Sequence, residues 1–257
     1  QGRLSLDIGG FNIGCIVDAP YFEQRWLKPE EAEIIARFEG YTQEILKNSK
    51  PRLYSGLPPY SHIYRDAETA FSIAKSADSP LDFVTILAII GHDSIEDRPR
   101  IKELMGQWEG AIMSTNRQMM AEIGEELKQE RILSRGEIEA RLLGYLSKTG
   151  IQGSRRDSLI SDISTAADLI LRLTRFSDMY PYPISMSYEY RKVGEETLER
   201  VLTRSFVKNC DRISNLNERG PLFSQDWMEI LAIAFADDDY IVDGHIVGKE
   251  LRERYGM

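Results

Sequence analysis

A chain of 257 residues is long enough to bury a full hydrophobic core and fits one large domain. Its 32 basic residues against 41 acidic ones leave a net charge of −9, which argues against a general nucleic-acid or anionic-membrane surface, so an anionic ligand has to find a local basic pocket. The two cysteines, Cys15 and Cys210, supply neither a disulfide framework nor a zinc-cysteine cluster. No apolar run reaches the roughly 18 residues of a membrane span, so a protein of the reducing cytoplasm with no nucleic-acid or membrane partner is expected.

Residues 1–28 alternate unevenly around Gly9-Gly10 and Gly14 and read as a short hairpin or an ordered arm. Pro29-Glu30-Glu31 is a helix start, and the periodicity continues from Ala32 to Leu46. Ser55-Gly56-Leu57-Pro58-Pro59-Tyr60-Ser61-His62 is rich in turn formers and delivers a histidine just before a helical pattern from Asp66 to Ala77. Ser79-Pro80 opens an apolar run, Leu81 to Ile90, dense enough for a helix buried on most sides. That run ends in His92-Asp93-Ser94-Ile95-Glu96-Asp97, which brings four titratable side chains next to the core. Charge in such a place persists only if it is paired or bound to a metal, and the segment reads as a metal site beside an acid/base pair. If the helix continues through it, His92 and Glu96 share one face, as do Asp93 and Asp97.

Ser134 with Glu137 reads as a capping box opening a helix to about Ser147, and Gly150 to Gly153, followed by Arg155 and Arg156, as an exposed basic turn. Asp157 to Asp178 reads as helix, stopped by Tyr180-Pro181-Tyr182-Pro183, whose aromatics pack a core edge or stack on a base. Ser187 to Leu216 is one long helix or two joined near Gly194, and Ser224 to Ala236 is another. Within the former, Lys208, Asp211, Arg212 and Asn215 fall on one stripe. Cys210 is expected to be a small buried apolar residue and His245 an ordinary surface histidine. The fold class is therefore all-α.

Three of these segments occur in an order that carries a resemblance. Ser-Gly-x-Pro-x-x-x-His at 55–62, His-Asp-x-x-Glu-Asp at 92–97 and Lys-x-x-Asp-Arg-x-x-Asn at 208–215 resemble the hydrolase half of the RelA/SpoT family, HD-domain enzymes that degrade the alarmones ppGpp and pppGpp. Leu169 to Arg175 is similar to the family's helix ending in Val-Thr-Lys, so the likeness spans about Lys50 to Asn217. It implies a single HD-type helical bundle over residues 1–257, with residues 1–28 as an N-terminal arm. It implies His62, His92, Asp93 and Asp211 as ligands of a divalent metal, most often manganese. Glu96 and Asp97 then position and deprotonate the attacking water, and Ser55, Lys208, Arg212 and Asn215 border the nucleotide. Arg52 or Lys50 stands in for the basic residues that the family places before the serine. Arg212 has an equally good structural role as the fork that fixes a carboxylate ligand.

The implied reaction is hydrolysis of a nucleotide 3′-pyrophosphate, releasing pyrophosphate. An HD nucleotidase or phosphatase acting on NADPH or a deoxynucleotide, and a catalytically silent nucleotide sensor, are the alternatives. With three histidines in the chain, a binuclear phosphodiesterase for cyclic dinucleotides, which needs more, is disfavoured. The chain departs from the family in two spacings. His62 to His92 spans 30 positions, with Ser76 to Pro80 as the extra loop, and Asp97 to Asp211 spans 114, for which an insertion of one or two helices at about 100–153 accounts.

Overall fold

The computed structural model describes residues 6–8, 11–13, 15–47, 59–174, 197–219 and 240–257. The fold is all-α. Two short strands, β1 (Leu6–Ile8) and β2 (Phe11–Ile13), pair antiparallel with Ile8 opposite Phe11, so the N-terminal arm begins as a hairpin. Two single 3-10 turns, Ile16–Asp18 and Gln24–Trp26, lead to helix α1, Pro29–Lys47. Pro29 sits at the first helical position, where its missing N–H costs nothing. Glu31 reaches back to accept from the Lys28 amide at 2.7 Å, which satisfies one of the orphan donors of the helix start.

Helix α2 (Pro59–Ser76) ends in a turn with Asp78 at φ 51°, as expected for a loop before Pro80. Asp82 then caps α3 (Phe83–Gly91) by accepting from the Thr85 amide at 2.7 Å. Every α3 residue except Val84 is buried, so this helix is the centre about which α1, α2, α6 and α7 are arranged. One cluster of buried apolar side chains runs from Ile16 to Leu251 through all the helices described below. Gly91 is needed at the end of α3 because a Cβ there meets Ile170 Cδ1 at 2.5 Å and Phe38 Cζ at 3.1 Å.

The chain beyond α3 departs from the sequence reading at several points. Helix α3 stops at Gly91, and residues 92–97 form successive turns rather than a further helical turn. Pro99 is the first residue of α4 (Pro99–Met113) and forces Arg98 before it into extended backbone, so a helix cannot run through. The stretch at about 100–153, expected to hold one or two helices, holds two, α4 and α5 (Arg117–Leu146), packed as a hairpin. Ser134 is not a cap. It lies buried in the middle of the 30-residue α5, whose N-cap is Asn116, accepting from the Met119 amide at 3.1 Å. Glu137 has a tertiary task instead, taking the Tyr41 hydroxyl and the Arg98 guanidinium, each at 2.7 Å.

Helix α6 (Gly153–Leu173) begins four residues before the expected Asp157. Arg155 belongs to its first turn rather than to a free loop, and ties it to α1 through Glu30 at 3.0 Å and Glu31 at 2.5 Å. Helix α7 (Leu198–Arg219) carries the Lys208 to Asn215 stripe. A small hairpin, β3 (Ile241–Val242) with β4 (His245–Ile246), precedes α8 (Val247–Tyr255). The expected helix at 224–236, the Tyr180 to Pro183 stop and the Gly194 joint lie outside the described residues. Among the described residues no helix is long and apolar enough to cross a membrane.

Candidate metal centre

Three helices bring chemistry to one buried place. His62 and Asp66 stand one turn apart on α2, His92 follows the last residue of α3, and Asp211 lies on α7. One ligand atom from each of these four falls within 4.8 Å of every other. His62 Nε2 is 2.8 Å from Asp211 Oδ1 and 3.1 Å from Asp66 Oδ2. His92 Nε2 is 3.4 Å from Asp66 Oδ2 and 3.3 Å from Asp93 Oδ1. Ligands held about 2.0–2.2 Å from one ion lie roughly 3–3.6 Å from each other, so the spacing suits a single cation.

The surroundings fix these ligands in place. His92 Nδ1 is 2.8 Å from the Ile89 carbonyl, which can only accept, so the ring donates a hydrogen bond there and turns Nε2 toward the carboxylates. Asp211 receives Asn215 Nδ2 at 2.8 Å on Oδ1 and Lys208 Nζ at 3.3 Å on Oδ2. Burial pushes the Asp211 carboxyl up, but the Lys208 ammonium, the His62 hydrogen bond and charge, and Arg212 outweigh it and hold the group well below the usual carboxylate range. The turn after α3 is pinned by Ile95, which is fully buried, and by Ser94 Oγ donating to the Gly91 carbonyl at 2.6 Å. Arg98 closes it, donating to the Ser94 carbonyl at 3.2 Å and to the Tyr41 hydroxyl at 2.8 Å.

Of the ligands implied by the sequence, His62, His92 and Asp211 form the group, and Asp93 stands at its rim through the His92 contact. Asp66 was not foreseen. Its signal was present in the spacing His62-x-x-x-Asp66, which puts both side chains on one helical face, but Asp66 also reads as an ordinary polar residue opening a helix. Glu96 and Asp97 are half-buried in the same turn. Burial and the nearby Asp93 raise the Asp97 carboxyl to about 6, with Lys102 holding it from going further.

Lys208, Arg212 and Asn215 are all buried on the α7 stripe beside Asp211. The stripe holds a third buried cation, Arg204, four residues before Lys208, which sequence reading also passed over. Arg52 and Ser55 lie outside the described residues. Cys210 is buried, as expected, and burial pushes its thiol well up, which leaves it inert. His245 is exposed and pairs with Glu250 at 2.8 Å.

Two imidazoles and two or three carboxylates suit manganese, iron, cobalt or zinc, and the donor set alone does not choose among them. Of the buried cations on α7, Lys208 pairs with Asp211 at 3.3 Å, and the Arg212 charge acts on the same carboxyl. Compared with family models, curated proteins and solved structures, the chain matches none of them.

Proposed function

We propose that the chain is a cytoplasmic, metal-dependent phosphohydrolase of the HD type that removes the 3′-pyrophosphate of guanosine alarmones. The observation that supports this reading most is the meeting of His62 and Asp211, 149 positions apart, at 2.8 Å beside His92, with Lys208 and Arg212 buried next to them. A purely structural cluster has no need to gather two imidazoles and two carboxylates within 4.8 Å of one another beside a buried lysine, and burial without partners costs several kcal/mol for each charge.

His62, Asp66, His92 and Asp211 would hold the metal, with manganese the best choice by likeness of motif, and Asp93 would complete the shell. A bound divalent metal lowers the pKa of water and neutralises phosphoryl oxygens, effects worth several kcal/mol. Asp97 and Glu96 position the attacking water and receive its proton. A carboxyl raised to about 6 is a stronger base than an ordinary one and still ionised at neutral pH. Lys208, Arg212 and Arg204 offset phosphate charge on the α7 side. Attack at the phosphorus nearest the ribose breaks its bond to the 3′ oxygen, which takes a proton and leaves as the free hydroxyl while pyrophosphate departs.

Product analysis with ppGpp tests the reading. Metal-stripped protein should release pyrophosphate only after manganese is restored, and Asp97→Asn should lose roughly a hundred- to ten-thousand-fold in turnover while still binding metal. Turnover of NADPH or of deoxynucleotides in place of ppGpp would move the site to those substrates, and tight ppGpp binding without turnover would make the chain a sensor.

A further inference from the structure

The α4–α5 hairpin supplies none of the candidate metal ligands, yet it helps to build a large cavity. A groove of about 1020 Å³ runs between α5 and the last turn of α6, floored by Trp108 of α4. Its α5 wall extends from Arg117 to Ile132, about 22 Å or four helical turns. The lining carries Arg117, Lys128, Arg131 and Arg172 against Glu125 and Asp168. This is a surplus of positive charge on a chain whose net charge is −9. Both acids are engaged, Asp168 by Arg135 at 2.8 Å and Glu125 by Lys128 at 3.7 Å, so the surplus lies with the remaining cations of the lining.

Among the described residues little covers the α5 wall. From Arg117 to Leu133 the helix buries Ile123 and Leu127 alone, whereas from Ser134 to Leu146 it buries a continuous stripe. Met113, Met119, Ile132 and Leu133, all on this hairpin, are four of the six large apolar side chains exposed among the described residues. At mid-groove stand Ala121 and Gly124, one turn apart. A Cβ at Gly124 meets only the Trp108 indole, at 3.5 Å, so this glycine leaves space over the groove floor and is not demanded by packing. An interior helical glycine costs about 1 kcal/mol relative to alanine, which a close approach of another backbone offsets.

We propose that this groove docks an amphipathic, acidic helix of a partner protein. A length of four turns matches a helix better than a small ligand, the apolar floor takes its apolar stripe, the cationic rim meets its acidic flanks, and the small residues let its backbone come close. Methionines at one end of the hairpin add an adaptable apolar surface of the kind used for helix capture. A second copy of this chain fits less well, because a two-fold contact brings the same positively charged lining to itself and supplies no acidic flank. The groove ends on Leu171 to Thr174, and the preceding residue, Ile170, touches Gly91 next to His92, so a docked helix rests against the wall behind the metal centre.

Fluorescence anisotropy of a labelled designed peptide of about sixteen residues, leucine on one helical face and glutamate elsewhere, tests the proposal against the full chain. The glutamate peptide should bind, its lysine counterpart should not, and added salt should weaken binding. Arg117→Glu with Lys128→Glu, both exposed, should weaken it about tenfold or more, and Gly124→Gln should block it by filling the groove. Absence of binding, equal binding of both peptides, or binding unchanged in the two variants overturns the proposal. So does a doubled mass of the protein alone that Gly124→Gln returns to monomer, which gives the groove to a second copy. Neither outcome touches the phosphohydrolase reading, whose residues are on other helices.

Discussion

Helix α3 and helix α5 solve opposite problems. The nine residues of α3 are buried on almost every side, so the polar side chains that follow it have no solvent to turn to and must find partners among themselves. The 30 residues of α5 bury one stripe and leave long polar flanks in water, where Glu122, Lys128 and their neighbours make exposed pairs of little energetic weight. Enclosure therefore marks where charge is chemistry, and exposure marks where it is solubility. The candidate metal centre belongs to the first regime. The groove belongs to the boundary between them, where apolar residues remain uncovered.

The buried side is sharpest at Glu39, a carboxyl on α1 with no exposed surface, whose Oε1 accepts from Tyr60 and from the Ile16 amide at 2.6 Å. Burial raises it from 4.5 to about 7, and the two hydrogen bonds only partly offset this. Because the folded value is the higher one, the unfolded chain ionises first. The protein should therefore lose roughly 3 kcal/mol of stability as pH rises from about 4.5 through about 7. Glu39→Gln should recover a comparable amount near pH 8 and change little near pH 5, read by urea unfolding at both. An equal effect at both values would mean that the carboxyl is not buried as an acid.

A smaller effect sets the two helices against each other through one substitution. Gly91→Ala should destabilise by about 1–3 kcal/mol, because its methyl drives into Ile170 and Phe38. Gly136→Ala on α5, where nothing lies within 4 Å, should stabilise by up to about 1 kcal/mol through helix propensity. Thermal unfolding of both variants reads the signs. The same sign in both would dissolve the distinction between an enclosed and an open helix.

How far the sequence carries follows the same division. The apolar density of Leu81 to Ile90 marks α3 at once, since few solvent-facing helices lack polar residues for so long. His62, His92, Asp211 and the α7 stripe were legible because three segments occur in the order that carries the family resemblance. Asp66 was not, because a carboxylate four residues from a histidine is common and only the fold turns both to one point. The turns at 92–97 escaped because a run of helix-compatible residues gives no stop until Pro99 is weighed. Ser134 misled for the opposite reason: a serine three residues before a glutamate is a capping pattern only where the backbone begins a helix, and here Glu137 answers to Arg98 and Tyr41.

Titrating metal-stripped protein with manganese, followed by electron paramagnetic resonance, tests the central claim most directly. One manganese should bind per chain, and Asp66→Ala and His92→Ala should each weaken it by about a hundredfold or abolish it, with the helical content unchanged. No stoichiometric binding, or binding that both variants keep, would contradict a metal centre built from His62, Asp66, His92 and Asp211.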